Sequence, residues 1–169
     1  MIPGPDSLRY LIEYLLEPST WVAVLIPAAI AFELWRATAW QPGRQIALQQ
    51  FLLGTTLSVV FSFWRETDGM IALYMLPGYS VVLFFASAAS RPSPPRAYVL
   101  CFLSLLTADL WCAAKRAIEL HGKLTADFYR GVGGAGLFDS LLIVPAATAI
   151  CLAIYNRLTR SAPVHERAI

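Results

Sequence analysis

The chain has 169 residues, of which 57% are hydrophobic and 14% charged, with a net charge of +2. A soluble domain carries about a quarter of its residues as charges to cover its surface, so this composition excludes an ordinary soluble fold and points to a lipid-embedded one. Basic residues are spread along the chain instead of lining one face, which excludes a nucleic-acid binder.

The length suits a single membrane domain over residues 1–169. The expected class is all-α: a polytopic bundle of about five transmembrane helices with a short interfacial helix before them. No cleavable leader is expected, because Met1 to Asp6 carry no positive charge and Pro18 interrupts the first apolar run.

Residues 6–17 read as an amphipathic helix with Asp6 as N-cap. Leu8, Leu11, Ile12, Leu15 and Leu16 fall on one face, while Arg9, Glu13 and Glu17 form an i,i+4 row on the other. Such a helix rises about 18 Å, short of a hydrocarbon core of about 30 Å. It is expected to lie in the interface; the alternative is that it opens the first span.

The first span is expected over 20–40, with Trp21, Trp35 and Trp40 near its ends as an aromatic belt. Pro42-Gly43 supplies a turn. The second span covers 46–64 and ends at the polar group Arg65-Glu66-Thr67-Asp68-Gly69. The third covers 70–90, with a kink at Pro77-Gly78. Arg91 to Arg96 read as a rigid surface turn, whose Pro92 and Pro95 spacing would also suit an SH3-type partner. The fourth span covers 97–116, a hydrophilic loop 117–130, and the fifth span 131–155. The tail 156–169 is polar, and no internal repeat occurs.

Five crossings put the two ends of the chain on opposite sides. The N-terminal side would hold Arg9, Arg65, Lys115, Arg116, Lys123 and Arg130. The other side would hold Arg36, Arg44, Arg91, Arg96, Arg157, Arg160 and Arg167. The larger number assigns the second side, with the C-terminus, to the cytoplasm of a bacterial inner membrane.

Ionisable residues within spans are costly in lipid and mark candidate sites. Glu33 and Arg36 share a helix face, as a local ion pair or as a gate. Asp109 and Asp139 would lie at similar depth on adjacent antiparallel spans, where a cation site, a proton relay or an acid/base dyad would need them. Arg65 and Arg116 lie on the same side as available partners. The run from Gly131 to Gly136, with Gly133 and Gly134 inside it, fits G-x-G-x-x-G literally but lacks the strand that a nucleotide site requires. It reads instead as a close helix contact or as locally unwound backbone above Asp139.

Cys101, Cys112 and Cys151 fall in apolar stretches as small core residues. His121 and His165 show no ligand spacing, so neither a metal nor a cofactor is expected, and His121 reads as a solvated loop residue. The expected function is binding or transport of a small solute or ion at a polar site between the fourth and fifth spans. One alternative is a non-catalytic interaction protein, such as an assembly subunit, an immunity factor or a phage-type lysis or exclusion protein. A second is an intramembrane enzyme using the two aspartates. The expected partners are the lipid bilayer and a second membrane protein or another copy of the chain, with no nucleic acid.

Overall fold

The computed structural model describes residues 5–38, 43–67, 70–87, 90–121, 132 and 140–161. The described residues are mostly helical. Helix α1 is Pro5–Leu16 and α2 is Pro18–Ala37. Helix α3 is Arg44–Val60, strands β1 and β2 are Phe63–Thr67 and Met70–Tyr74, and α4 is Gly78–Phe85. Helices α5, Pro94–His121, and α6, Ser140–Ser161, complete the described elements.

Three of these helices are long and apolar enough to cross a membrane: Pro18–Ala37, Pro94–Glu119 within α5, and Ser140–Thr159 within α6. Helix α5 is largely apolar over residues 97–114, and it is the central element, with 67% of its most apolar stretch buried. Ala97, Val99, Cys101, Phe102, Leu105 and Ala108 are all buried, and α5 packs against α2, α3, α4 and α6. The helices around it turn large apolar side chains outward, among them Phe32, Leu52, Phe85 and Ile154, with Phe85 80% exposed. An apolar exterior of this extent fits a lipid environment and not water.

Helix α2 contains a wide π turn at Trp21–Leu25, where the N–H of Ile26 reaches back to the carbonyl of Trp21. Pro27 follows directly and has no N–H to give, so the normal i→i−4 ladder cannot continue through it. Helix α6 carries Pro145 in its interior. Helix α1 forms as the amphipathic pattern expects, with Arg9 Nε 2.8 Å from Glu13 Oε1. Its Leu11, Ile12, Leu15 and Leu16 are exposed. The Tyr14 hydroxyl donates to the carbonyl of Val132 at 2.7 Å, and Trp21 Nε1 donates to the carbonyl of Leu15 at 2.6 Å, which together hold α1 to the bundle.

Several expected boundaries are corrected. Residues 63–67, expected as the end of the second span and the polar group after it, and 70–74, expected as the start of the third span, pair as antiparallel strands, Thr67 with Met70 and Phe63 with Tyr74. The third expected span is therefore not one kinked helix but a strand, a short extended link and the eight-residue α4. Phe63, Trp64, Ile71 and Tyr74 favour the pleated conformation, and Pro77 stops a helix from running back through it. Arg91 to Arg96 are not wholly a surface turn, because Pro94 and Pro95 open α5 in the position where a missing N–H costs nothing. Residues 117–121 belong to the last turns of α5 and not to a loop, and Ala117 is buried. Helix α6 continues past the expected end at Tyr155 as far as Ser161.

The return of the chain depends on two glycines. A Cβ on Gly78 would meet the carbonyl oxygen of Gly54, and a Cβ on Gly54 would sit 2.7 Å from Tyr79 Cα. Helices α3 and α4 thus cross backbone to backbone, a separation only small residues allow. The N–H of Gly78 donates to Ser58 Oγ at 3.1 Å, which satisfies one of the first donors of α4 in a buried setting. Gly78→Ala and Gly54→Ala should each destabilise the folded protein by about 1–3 kcal/mol, the usual cost of forcing volume into a packed core. Denaturant unfolding in detergent checks this, and an unchanged midpoint for Gly78→Ala would contradict the close crossing.

Candidate functional site

Buried polar side chains gather on α5 and its neighbours. Thr55 Oγ1 donates to Ser104 Oγ at 3.2 Å, tying α3 to α5. Ser62 Oγ lies 3.2 Å from Cys112 Sγ. Ser80 Oγ is 2.7 Å from Thr148 Oγ1, and Cys101 Sγ is 3.7 Å from both hydroxyls, so α4, α5 and α6 meet at one polar cluster. Hydroxyl contacts of this kind join apolar helices at about 0.6 kcal/mol each. They read as packing contacts, as the sequence implied for Cys101 and Cys112.

Asp109 is buried, with 6% of its surface exposed, one turn before Cys112 on α5. Its expected counterpart Asp139 and the glycines Gly133, Gly134 and Gly136 lie outside the described residues. Arg116 turns to an aromatic partner: its guanidinium carbon stands 4.4 Å from the centroid of the Trp64 ring. Arg65 is exposed on β1, and since successive strand residues point to opposite faces it lies on the other side of the hairpin from Trp64. Glu33 and Arg36 form the local pair that their spacing implied, at 3.4 Å, with both side chains largely exposed.

A second polar locus forms where α3 and α5 begin. Gly43, with φ +77°, turns the chain into α3 without a side-chain cap. The N–H groups of Arg44, Gln45 and Ile46 lie in the first turn, where an intrahelical acceptor does not exist. One turn further, Gln50 is buried and its Nε2 donates to the carbonyl of Ser90 at 2.9 Å. That bond draws the segment 90–93 against α3. Arg91 then lies over Tyr155 of α6, 4.3 Å from the ring centroid. Arg96 reaches Gly43, its Nη1 3.7 Å from where a Cβ at that position would be.

These residues enclose a cavity of about 260 Å³, lined by Ile46, Gln50, Ser90, Arg91, Pro92 and Arg96 with Gly43 and Ala47 at its edge. Arg91 and Arg96 both line it, and none of its described lining residues carries a carboxylate. Arg91 Nη1 is buried and has no hydrogen-bond partner among the described residues. Withdrawing a charge from water is costly unless an opposite charge accompanies it, and the dipole of the 17-residue α3 adds positive potential from the same side. The chemistry offered is anion binding by arginine forks, a carboxamide and helix N–H groups.

Sequence reasoning missed this locus. It treated Arg91 and Arg96 as markers of orientation, because their convergence on the start of α3 needs contacts such as that between Gln50 and Ser90, 40 positions apart in the chain. Gln50, a carboxamide in the middle of an apolar run, was the one local signal. In comparisons with protein families, characterised proteins and solved structures, the chain matches none of them.

The stacking of Arg116 on Trp64 is testable by a double-mutant cycle with Arg116→Gln and Trp64→Leu. A coupling of about 0.5–2 kcal/mol is expected for a partly desolvated cation over an indole face. Additive effects would show that the pair contributes nothing to holding the hairpin on α5.

Proposed function

We propose that the protein is a small multi-pass membrane protein that binds a small anion without covalent chemistry, at the end of the bundle where α3 and α5 begin. The carrying observation is the cavity lined by Arg91 and Arg96, with no carboxylate among its described lining residues. Those described residues include no histidine and no cysteine. It therefore offers charge and hydrogen-bond donors but lacks the usual general bases, which favours binding over catalysis.

The reading includes about five membrane-crossing segments, where three helices among the described residues meet the length and hydropathy of a span. The path of the chain supports it. Helix α3 rises about 26 Å, and the chain then returns along its whole length: Phe63 pairs with Tyr74, Gly54 meets Tyr79, and Gln50 meets Ser90. The hairpin lies at one end of that excursion, with Phe63 and Tyr74 stacked 5.5 Å apart and exposed as aromatic belt residues would be. Open strand edges are not tolerated in hydrocarbon, so the hairpin marks the membrane surface on the N-terminal side. The cavity then faces the opposite surface, read as the cytoplasmic side of a bacterial inner membrane, together with the C-terminal end of α6.

Two measurements test this. Reporter fusions within 87–93 and after Ser161 should report one side, and fusions within 63–74 the other; opposite sides for the first two would refute the path. Inorganic phosphate at millimolar concentration should raise the melting midpoint of the protein in neutral detergent. Arg96→Gln should abolish the rise, whereas an equal rise in the variant would remove the cavity from consideration.

A further inference from the structure

The face of α3 turned away from the bundle carries polar groups in a regular row. Ala47, Gln50, Gly54 and Ser58 are buried against the neighbouring helices. Opposite them, at intervals of alternately four and three residues, stand Gln45, Gln49, Leu52, Thr56 and Val59. The first four are exposed and Val59 is half-buried, so no described part of the chain covers the row. This spacing is the seam of a left-handed helix pair, in which each residue of the row meets a facing helix.

The inner polar groups of α3 are satisfied within the chain: Gln50 by the carbonyl of Ser90, Thr55 by Ser104 and Ser58 by the N–H of Gly78. The outer carboxamides are not, since Gln45 and Gln49 make no hydrogen bond among the described residues. Gln45, in the first turn, can meet headgroups and water. Gln49 stands one turn deeper, about 6 Å further along the axis. Acyl chains offer it neither donor nor acceptor, and in lipid such a side chain is satisfied across a helix contact. Thr56 Oγ1 donates to the carbonyl of Leu52 at 2.9 Å and presents a short side chain that permits close approach.

The row also identifies the partner. Copies of one chain enter a membrane in one orientation, so a two-fold axis between them runs along the membrane normal and sets each residue of α3 against its own counterpart at equal depth. A contact surface of that kind must complement itself. A carboxamide does, because its N–H donors and its acceptor oxygen carry opposite partial charges, so two copies of Gln49 exchange hydrogen bonds. Leu52 and Val59 pack on themselves as apolar seam positions do. Arg44, the one charged residue of α3, lies about 100° around the helix from Gln45, so like charges do not oppose each other in the row. Resting on the reading of α3 as a membrane-crossing segment, we infer that two copies of the chain associate in parallel through this row, with reciprocal Gln49 hydrogen bonds fixing the register.

The test uses the full chain with Cys151→Ser, which removes the exposed native thiol. In membrane vesicles carrying Leu52→Cys, oxidation by copper phenanthroline should give a disulfide-linked product of twice the chain's mass. The yield should be at least fivefold that of Leu53→Cys, which is exposed at the same depth but to the side of the row. Equal yields from both positions, or a product whose mass reveals a different protein, would overturn the inference. A membrane-impermeant maleimide should leave Leu52→Cys unlabelled. Labelling would refute the crossing of α3 and the dimer with it, whereas a shielded Leu52→Cys that gives no product would overturn the dimer alone. Energy transfer between labelled copies in vesicles, at increasing lipid dilution, then measures association. Gln49→Leu should weaken it about three- to eightfold, the effect of losing one or two hydrogen bonds between membrane helices. Association unchanged or strengthened by Gln49→Leu would overturn the hydrogen-bonded register. The melting midpoint in detergent establishes that this variant is folded, and if it is not, the cross-linking decides alone.

Discussion

The structure depends on one close approach: the backbone of α3 at Gly54 lies directly against the backbone of α4 at Gly78. Everything between them, the hairpin included, is a loop whose two ends that contact closes. Everything after them is positioned by it. The Ser58 hydroxyl supplies the first acceptor of α4, the short helix leads the chain back to Ser90, and Gln50 takes the carbonyl of Ser90. If α3 and α4 stood a methyl group further apart, Arg91 and Arg96 would not converge on the N-terminus of α3. The packing of a helix pair and the composition of the cavity are thus one constraint read at two places.

The helices were legible in the sequence where their apolar runs were long and uninterrupted. The centrality of α5 follows from residues such as Val99, Phe102 and Leu105, which keep 97–114 largely apolar. The hairpin was not legible by the same reasoning, because run length and mean apolarity do not distinguish a strand from a helix over a few residues. The Asp68-Gly69 dipeptide between Thr67 and Met70 is a strong hairpin signal in a chain, yet here it stood beside an apolar stretch long enough to read as a span. The β-forming side chains of 63–67 and 70–74 prevailed over hydropathy there.

The two polar loci differ in how much of them a linear reading could hold. Asp109 stands out against its apolar neighbours, and its burial follows from the helix it sits on. The arginine cavity is assembled from the start of α3, the segment before α5 and the first turn of α5, so no short window of sequence contains it. A charge beside a proline turn looks like a solvated loop until the partner that desolvates it is known. Burial of charge is a long-range property even when the charge itself is plain to see.

The wide turn at Trp21–Leu25 has a geometric consequence for α2. One residue added to a helix turns everything beyond it by about 100°. The half of α2 before Ile26 leans on α6, while the half after it leans on α5. A straight helix has a single stripe and would satisfy one of these neighbours along its whole length. The extra residue splits α2 into two segments with offset stripes, like a hinge pin cut and rotated before being set. A shortening by one residue within 21–25 would bring the stripes into line and withdraw the first part of α2 from α6.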